Sequence, residues 1–427
     1  LGLSEDQNTI PYTELKSWNT DLRRAWASQE MKNSYKKSLG TLMGKLNLYQ
    51  EIKSGQNWMF PQYSPDEDKV YWIPLTSFLT EAKVVEKEKT SNTPFISLME
   101  EAAMEYKQVA GEKHMVEYNF AKWQLPKIAL GLTLLALALF TLIRKSSVGA
   151  SVAILSVLVQ TAYITFRIYI SGRAPITNMY ETVLFSGYGA LILSLIIAFY
   201  RKEKLFAYVG LIYNTCTLMM INFAHGMLNP SINPLVPVLR DNFWLSTHVT
   251  TVILSYGAFA LSWVMANMVL IQRRFGNLSK KEERYKSDLI YTCLKYGTVM
   301  IAAGVILGGV WADYSWGRFW GWDPKETWSL IVLCVYMAIL HGKYTSWIPQ
   351  HRFIPLVAGA FLSVMMAWFG VNYILASGLH SYGFSEGGAV FLGSFFLVQI
   401  IILIITWPRS QNNNSAGPGD QGQVSKA

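Results

Sequence analysis

Nine long apolar runs lie between residues 126 and 407, and they restrict the folds that this chain can adopt. An apolar run of about 18 or more residues is long enough to cross a bilayer as a helix. Inside a bilayer, only helices and closed barrels satisfy every backbone hydrogen bond. The sequence therefore predicts an all-α fold, a polytopic integral membrane helical bundle of about nine spans. The runs are 126–143, 148–170, 180–200, 205–223, 244–271, 289–310, 327–341, 353–375 and 388–407, each approximate by a few residues.

The composition agrees with this prediction. Hydrophobic residues make up 51% of the 427 residues and charged residues only 15%, whereas a soluble domain carries about 25% charged residues. Cys216, Cys293 and Cys334 each lie alone in an apolar run, without CxxC, CxxCH or zinc-ligand spacing. We therefore expect these cysteines to be packing residues, and we expect neither disulfides nor a covalently attached heme on this chain.

Basic residues are distributed unevenly between alternate connecting segments. One set of segments contains fifteen Lys and Arg residues, and the short loops of the other set contain only four: Arg173, Arg240, Arg318 and Lys325. The positive-inside rule places the first set in the cytoplasm. Topology thus explains the basic excess, which gives no support for nucleic-acid binding. The segments then expected to face outward are 1–125, 171–179, 224–243, 311–326 and 376–387.

The two ends of the chain are polar. Residues 1–125 are expected to form a mainly helical extracytoplasmic region, in which 57–75 (NWMFPQYSPDEDKVYWIPL) is interpreted as loop and turn with aromatic anchors. An outward region of this size needs an upstream export segment, and the chain starts with Leu1, so we expect a fragment or a processed chain. Residues 408–427 are Gly- and Asn-rich and are expected to form a disordered cytoplasmic tail.

Two histidines are predicted at the outer ends of spans. His248 follows DNFWLST at the start of the fifth run, and His380 lies in ASGLHSYGF after the eighth run. Ionisable residues close to membrane spans tend to be functional. Two imidazoles that converge from different helices can provide both axial ligands of a heme iron. The alternative is that each histidine is an interfacial residue that only makes hydrogen bonds.

Between these histidines, residues 316–328 (WGRFWGWDPKETW) combine four tryptophans with four charged residues. Indoles can cover the face of a flat apolar ligand such as heme. Its carboxylates could pair with the outward basic residues Arg318, Lys325, Arg240 and Arg173. The alternative for the tryptophans is an interfacial aromatic belt. Asp323, followed by proline and by Glu326, also predicts an N-cap with a capping box that starts the seventh span.

Three further charged residues, Arg167, Glu181 and Asp241, lie near the expected outer face. They could position other residues that contact a bound ligand, but we expect them mainly to stabilise the structure of the bundle.

The motif resembles the tryptophan-rich WWD signature of heme-handling proteins of cytochrome c assembly. The branch that it resembles most is the CcsA-type half of the System II cytochrome c synthase. Three more segments are similar to that branch: YISGRAPITNMYETVLF (169–185), FWLSTHVTTVILSYGAF (243–259) and GLHSYGF (378–384). The resemblance covers residues 126–407. The motif positions that carry it are Trp316, Gly317, Trp320, Trp322, Asp323 and Glu326.

The resemblance implies a heme-handling membrane domain at 126–407 in a bacterial inner membrane protein of cytochrome c biogenesis. Its outward loop 311–326 would serve heme transport and presentation. Heme b would be exported and presented outside for attachment to the CxxCH motif of apocytochrome c, a heme lyase activity. His248 and His380 would be the axial ligands. The heme-binding platform would comprise Trp316, Gly317, Arg318, Trp320, Trp322, Asp323 and Glu326.

The resemblance also implies an inner heme site with His341 as one ligand. The first four spans contain no histidine that could be the second ligand. We therefore expect a CcsB-type subunit, or a fused upstream half, to complete that site.

Three other functions remain open from the sequence. One is a heme carrier that hands heme to a chaperone without attaching it. Another is a b-type membrane electron-transfer protein, although such a protein places histidine pairs within the bundle rather than at one face. A third is a solute transporter with a tryptophan-lined entrance.

Overall fold

In a computed structural model of the protein, two units of the chain divide between residues 117 and 118. The structure describes residues 24, 33–54, 58–64, 66–67, 69–77, 99–100, 102–104, 106–107, 111, 113–142, 146–232, 241–375 and 387–407.

The described part of the first unit contains one long helix and a β-hairpin. Helix α1 spans Asn33–Ser54, and strands β1 (Met59–Ser64) and β2 (Lys69–Pro74) pair antiparallel. The interpretation of 57–75 as loop and turn was therefore wrong. Aromatic and β-branched residues such as Tyr63, Val70 and Trp72 favour strands, and the polar residues Asp66 and Glu67 lie in a turn between the two strands.

The second unit is a helical bundle, and the prediction of nine spans is confirmed: in the described ranges, nine helices are long and apolar enough to cross a membrane. The protein is thus an all-α polytopic membrane protein. The first span runs from Lys113 to Thr141 and has a break at Gln124. The bundle helices are α2 (Lys113–Trp123), α3 (Leu125–Thr141), α4 (Ser146–Ser171), α5 (Met179–Arg201), α6 (Lys204–Phe223), α7 (Asn242–Phe275), α8 (Lys280–Trp316), α9 (Pro324–Tyr344), α10 (Gln350–Leu375) and α11 (Gly388–Thr406).

Helix α8 is longer than its apolar run at both ends. It begins with a capping box formed by Ser279 and Glu282, and it continues to Trp316, where Gly317 adopts a left-handed conformation (φ 67°). The expected loop 311–326 is therefore reduced to the non-helical residues 317–323. Residues 311–316 stay helical because they contain no helix breaker, and Gly317 is the first residue suited to a helix C-terminus.

Helix α7 is the central helix of the bundle and packs against α5, α8 and α10. Phe259 of α7 is fully buried and stacks on Tyr336 of α9 with ring centroids 3.6 Å apart. Close approach to α5 occurs at Gly257, where an added Cβ would lie 3.3 Å from the Cβ of Ala190. Small residues of this kind allow membrane helices to pack tightly, since lipid provides no hydrophobic driving force for their association.

A buried polar layer joins α3, α4 and α6. The Thr133 hydroxyl lies 2.7 Å from the Ser156 hydroxyl, and Asn214 Nδ2 donates to Gln160 Oε1 at 3.0 Å. Gln160 Nε2 in turn donates to Asn214 Oδ1 at 3.2 Å, and all four side chains are at most 1% exposed. Each polar group is thereby satisfied within the apolar bundle, as burial requires.

A second polar contact holds α11, which is otherwise strongly apolar. Gln399 Nε2 donates to Asn267 Oδ1 at 3.1 Å, and Trp263 Nε1 donates to Gln399 Oε1 at 2.7 Å. These bonds fix the position of α11 along α7.

The prediction that the three cysteines are packing residues is confirmed for one of them. Cys293 is buried in α8, whereas Cys216 and Cys334 are exposed on the surfaces of α6 and α9. Single hydrophobic residues on a membrane bundle face lipid as easily as the core, so an apolar run does not show which side of the helix is buried.

Candidate ligand-binding site at one end of the bundle

Five helix ends meet around two adjoining cavities at the same end of the bundle. They are the first turns of α5, α7 and α9 and the last turns of α8 and α10. The cavities have volumes of about 160 Å³ and 120 Å³. The residues that line both are His248, Val252, Tyr256, Lys325 and Ala367.

Two of these helix ends are π-helical. Leu245–Val249, which contains His248, forms one π-helical turn of α7, and Met366–Leu375 forms the other at the end of α10. Wider turns of this type are frequent at functional sites because they displace side chains from regular helical positions. Asp241 caps the helix just before the first of them, accepting from the backbone N–H of Phe243 at 3.0 Å, which confirms its structural role.

The half-buried ring of His248 is held in one orientation. Its Nδ1 lies 2.9 Å from the carbonyl oxygen of Gly304 on α8. A carbonyl can only accept, so Nδ1 donates, and in the neutral imidazole the lone pair is then on Nε2. Metal-ligating histidines are oriented in the same way, with one ring nitrogen donating to a carbonyl and the other binding the metal.

Glycines on one face of α8 make this contact possible. A Cβ added at Gly308 would lie 2.6 Å from Cε1 of His248, and one added at Gly304 would lie 2.7 Å from Cγ2 of Val252. Closer to the N-terminus of α8, the ring of Phe259 occupies the space that a side chain at Gly297 would need. A side chain at any of these three positions would require the facing side chain of α7, or α7 itself, to move.

The tryptophans of the motif occupy different positions. Trp316 ends α8 and lines the larger cavity, and Trp320 lines the smaller one. Trp322 is 69% exposed and meets Trp320 edge to face, with ring centroids 5.9 Å apart. Its φ of 58° is unusual for a residue other than glycine, and such strain is often found at functional sites.

The expected capping box is confirmed. Asp323 accepts from the backbone N–H of Lys325 at 3.0 Å, and Glu326 Oε2 accepts from the N–H groups of Asp323 at 3.2 Å and Gly321 at 2.7 Å. The other carboxylate oxygen of Glu326 lies 3.5 Å from Nη1 of Arg318. Arg318 therefore contacts the helix start, and Lys325 is the basic residue of the motif that lines the cavities.

A buried ion pair supports the wall formed by residues 176–179. Arg167 Nη2 lies 2.6 Å from Glu181 Oε1, and both side chains are 2% exposed. The second oxygen of Glu181 accepts from the backbone and the hydroxyl of Thr177 at 2.8 Å and 2.7 Å. Arg167 Nη1 also donates to the carbonyl of Pro230 at 3.0 Å, so the pair ties two loops together. The expected structural role of both residues is confirmed.

His248 and His341 lie at opposite ends of the bundle, as expected for two separate sites. His341 is exposed near the opposite end of α9, about 24 Å from Lys325 along the helix at 1.5 Å per residue. Its Nδ1 lies 2.9 Å from the carbonyl of Met337 in the preceding turn. His380 lies outside the described residues, as does Arg240, so the pairing of His248 with His380 stays a prediction.

Two contributors to the site were missed from the sequence. Trp311 lies 5.7 Å from His248 between ring centroids and lines the larger cavity. Gly308 lies under the histidine ring. The spacing of Gly304, Gly308 and Trp311 places all three on one face of a helix, and this pattern in GVILGGVW was the available signal.

Comparison with known proteins identifies the family. The family model described as cytochrome C assembly protein matches residues 176–380. Protein NrfI of Wolinella succinogenes is 35% identical over 231 residues, which are 52% of this chain and 25% of NrfI.

The match covers a larger share of two relatives named cytochrome c biogenesis protein CcsA than of NrfI. The protein of Guillardia theta is 31% identical over 262 residues, 55% of this chain and 85% of that protein. The protein of Gloeobacter violaceus is 30% identical over 307 residues, 58% of this chain and 88% of that protein. This membrane protein therefore belongs to the cytochrome c assembly family, in the branch of the CcsA-type cytochrome c biogenesis proteins.

Proposed function

We propose that this protein binds heme b in the cavity region beside His248 and presents it for covalent attachment to the CxxCH motif of apocytochrome c. The observation that supports this most strongly is the orientation of His248, whose Nδ1 lies 2.9 Å from Gly304 O, as in histidines that bind a metal through Nε2. His380 is the proposed second axial ligand. This function matches the cytochrome c assembly family to which the chain belongs.

The surroundings of His248 fit an iron porphyrin. The larger cavity is lined mainly by apolar and aromatic residues, including Trp316, Trp311 and Trp368. Such side chains cover a flat apolar ring by dispersion and stacking. Trp320 and the exposed Trp322 extend the aromatic surface outward along the loop 317–323. We propose that this surface, with Gly317, Arg318, Asp323 and Glu326 as its frame, is the platform from which heme meets the cytochrome.

Heme is the substrate here, and the cysteine thiols of the apocytochrome are the nucleophilic groups. Each S–H adds across one vinyl C=C, with sulfur joining one carbon and hydrogen the other, so that no leaving group is released. The protein then needs no nucleophile of its own. Its contribution is to fix the iron through His248 and to hold the vinyl groups at the surface, a positioning effect.

We further propose that the cavity end faces outward from the bacterial inner membrane. The helix ends and connections at the opposite end, such as 201–204 and 273–281, contain the basic residues that favour the cytoplasm. His341 lies toward that end and is exposed, with its Nδ1 engaged by Met337 O. A histidine from a CcsB-type subunit or a fused upstream half could thus reach its Nε2 and complete an inner heme site.

The test is the absorption spectrum of the purified protein. We expect a low-spin spectrum with two imidazole ligands, which His248→Ala disrupts and added imidazole partly restores. His351→Ala is the matched control, because His351 is exposed at the start of α10 and far from the cavities in sequence and fold. A spectrum that is unchanged after replacement of both His248 and His380 would contradict the assignment.

Attachment is tested separately from binding. The protein, together with its partner half, is co-expressed with an apocytochrome that contains CxxCH, and covalent heme is detected by staining after denaturing electrophoresis. Covalent heme supports the lyase activity. A bound-heme spectrum without covalent product would instead favour a heme carrier.

A further inference from the structure

One hydrogen-bond donor in the larger cavity has no acceptor within the described part of the chain. Trp311 is 7% exposed, and its indole Nε1 is buried without a hydrogen-bond partner there. An unmade hydrogen bond of this kind is costly, and buried donors in native proteins are nearly always satisfied. Trp311 lines the cavity beside His248, so a bound ligand can provide the missing acceptor.

Other polar side chains of this cavity already have protein partners. Trp368 Nε1 donates to the hydroxyl of Thr182 at 3.1 Å, and Asn372 Nδ2 donates to the carbonyl of Trp368 at 2.6 Å. Asn178 caps α5 by accepting from the backbone N–H of Glu181 at 2.9 Å. These groups hold the wall together, and Trp311 differs from them because its donor is unused.

A positive charge lines the same cavity. Lys325, in the first turn of α9, borders both cavities, as His248 does. Arg318, the other basic residue of the loop, faces Glu326 at 3.5 Å. The cavity wall therefore presents the indole N–H of Trp311 and the ammonium group of Lys325. Two such donors, one of them charged, suit an anionic oxygen acceptor.

We propose that Trp311 Nε1 and Lys325 Nζ form a carboxylate-binding subsite that holds a propionate of the heme. This assignment rests on the proposed function, which places heme in the cavity. Of the basic residues expected to pair with the carboxylates, it assigns Lys325, and it adds a residue outside the WWD motif, Trp311, to the heme site. The subsite sets the orientation of the ring, because a porphyrin anchored at its propionate edge directs its vinyl edge away from Trp311.

The experiment compares two ligands that differ only in this group. Hemin has free propionates, and hemin dimethyl ester has none. Both are titrated into the intact purified protein, and binding is followed by the Soret band. The wild type is expected to bind hemin more tightly than the ester.

Trp311→Phe removes the N–H and keeps an aromatic ring. We expect it to weaken hemin binding roughly 10- to 100-fold, the effect of losing a hydrogen bond to a charged group. Ester binding should weaken clearly less, by about 2- to 10-fold at most, since an ester carbonyl accepts only an uncharged hydrogen bond. The Soret position should stay that of the wild type because His248 is intact.

Trp368→Phe is the matched control. It removes an indole from the same cavity, but its N–H is already bonded to Thr182, so it should affect hemin and the ester alike. Lys325→Gln is a second variant, and we expect it, like Trp311→Phe, to weaken hemin binding more than ester binding. It tests the subsite if the Trp311→Phe variant does not fold.

Equal losses for both ligands in Trp311→Phe and Lys325→Gln would overturn the subsite and leave the proposed function intact. A selective loss in Trp368→Phe of the same size would also overturn it. A wild type that binds neither ligand would refute the proposed function itself, and the subsite with it.

Discussion

Replacement of Gly308 by alanine is predicted to weaken the proposed heme binding by displacing the ring of His248. The added Cβ would lie 2.6 Å from Cε1 and 3.1 Å from Nδ1 of His248. Carbon atoms in ordinary contact are about 3.5–4.0 Å apart, so the ring must move by roughly 1 Å. The obstacle is helix α8 itself, which packs on α7 at several positions and cannot withdraw at one residue.

This movement is enough to break the bond that orients the ring. The distance between Nδ1 and Gly304 O is 2.9 Å, and a side-chain contact lengthened to about 3.6 Å is no longer a hydrogen bond. Loss of such an orienting partner lowers metal affinity about 10- to 100-fold. Fold stability should change less, because overpacking costs about 1–3 kcal/mol while alanine gains about 1 kcal/mol over glycine in a helix.

The assay is hemin titration followed by the Soret band, together with the thermal unfolding midpoint of the same preparation. Gly131→Ala is the matched control, since this glycine also lies inside a helix but an added Cβ there would have no atom of the described residues within 4 Å. The control should bind hemin as the wild type does. If Gly308→Ala binds hemin with wild-type affinity while His248→Ala does not, then the hydrogen bond to Gly304 O is not needed to orient His248 for iron binding.

Three further substitutions test how the site is supported. Glu181→Gln leaves the charge of Arg167 buried without its partner, so we expect a loss of about 3–5 kcal/mol in unfolding free energy; an unchanged thermal midpoint would contradict this role. Gln399→Leu removes the hydrogen bonds between α11 and α7 and should cost about 0.6–1.7 kcal/mol, with little effect on hemin affinity; a large loss of affinity would show that α11 shapes the cavity. Asp323→Ala should lower stability by about 1 kcal/mol through loss of the N-cap, whereas Asp323→Asn should not; equal effects of both would argue for a role of the carboxylate charge.

The sequence predicted the bundle well because the thickness of a membrane fixes the length of each span. The nine apolar runs differ from the helices mainly at their ends, where α8 continues to Trp316. The N-cap at Asp323 was also predictable, since capping depends on residues that are close together in sequence.

The internal arrangement of the site could not be predicted in the same way. The contact between His248 and Gly304 joins residues 56 positions apart, and it depends on how closely α7 and α8 approach each other. Apolar periodicity does not show this, because a membrane helix can be apolar on every side. The π-helical turn around His248 likewise arises from packing rather than from local propensity.

The same interface thus determines both the packing of α7 on α8 and the orientation of His248. Lipid is as apolar as a leucine side chain, so the two helices associate through close packing and hydrogen bonds rather than through a hydrophobic force. Glycine at 304 and 308 provides the close packing, and the carbonyl of Gly304 provides an acceptor that fixes the ring. A substitution that loosens this interface should therefore reduce heme affinity before it unfolds the bundle, because the ligand depends on an ångström of ring position and the fold does not.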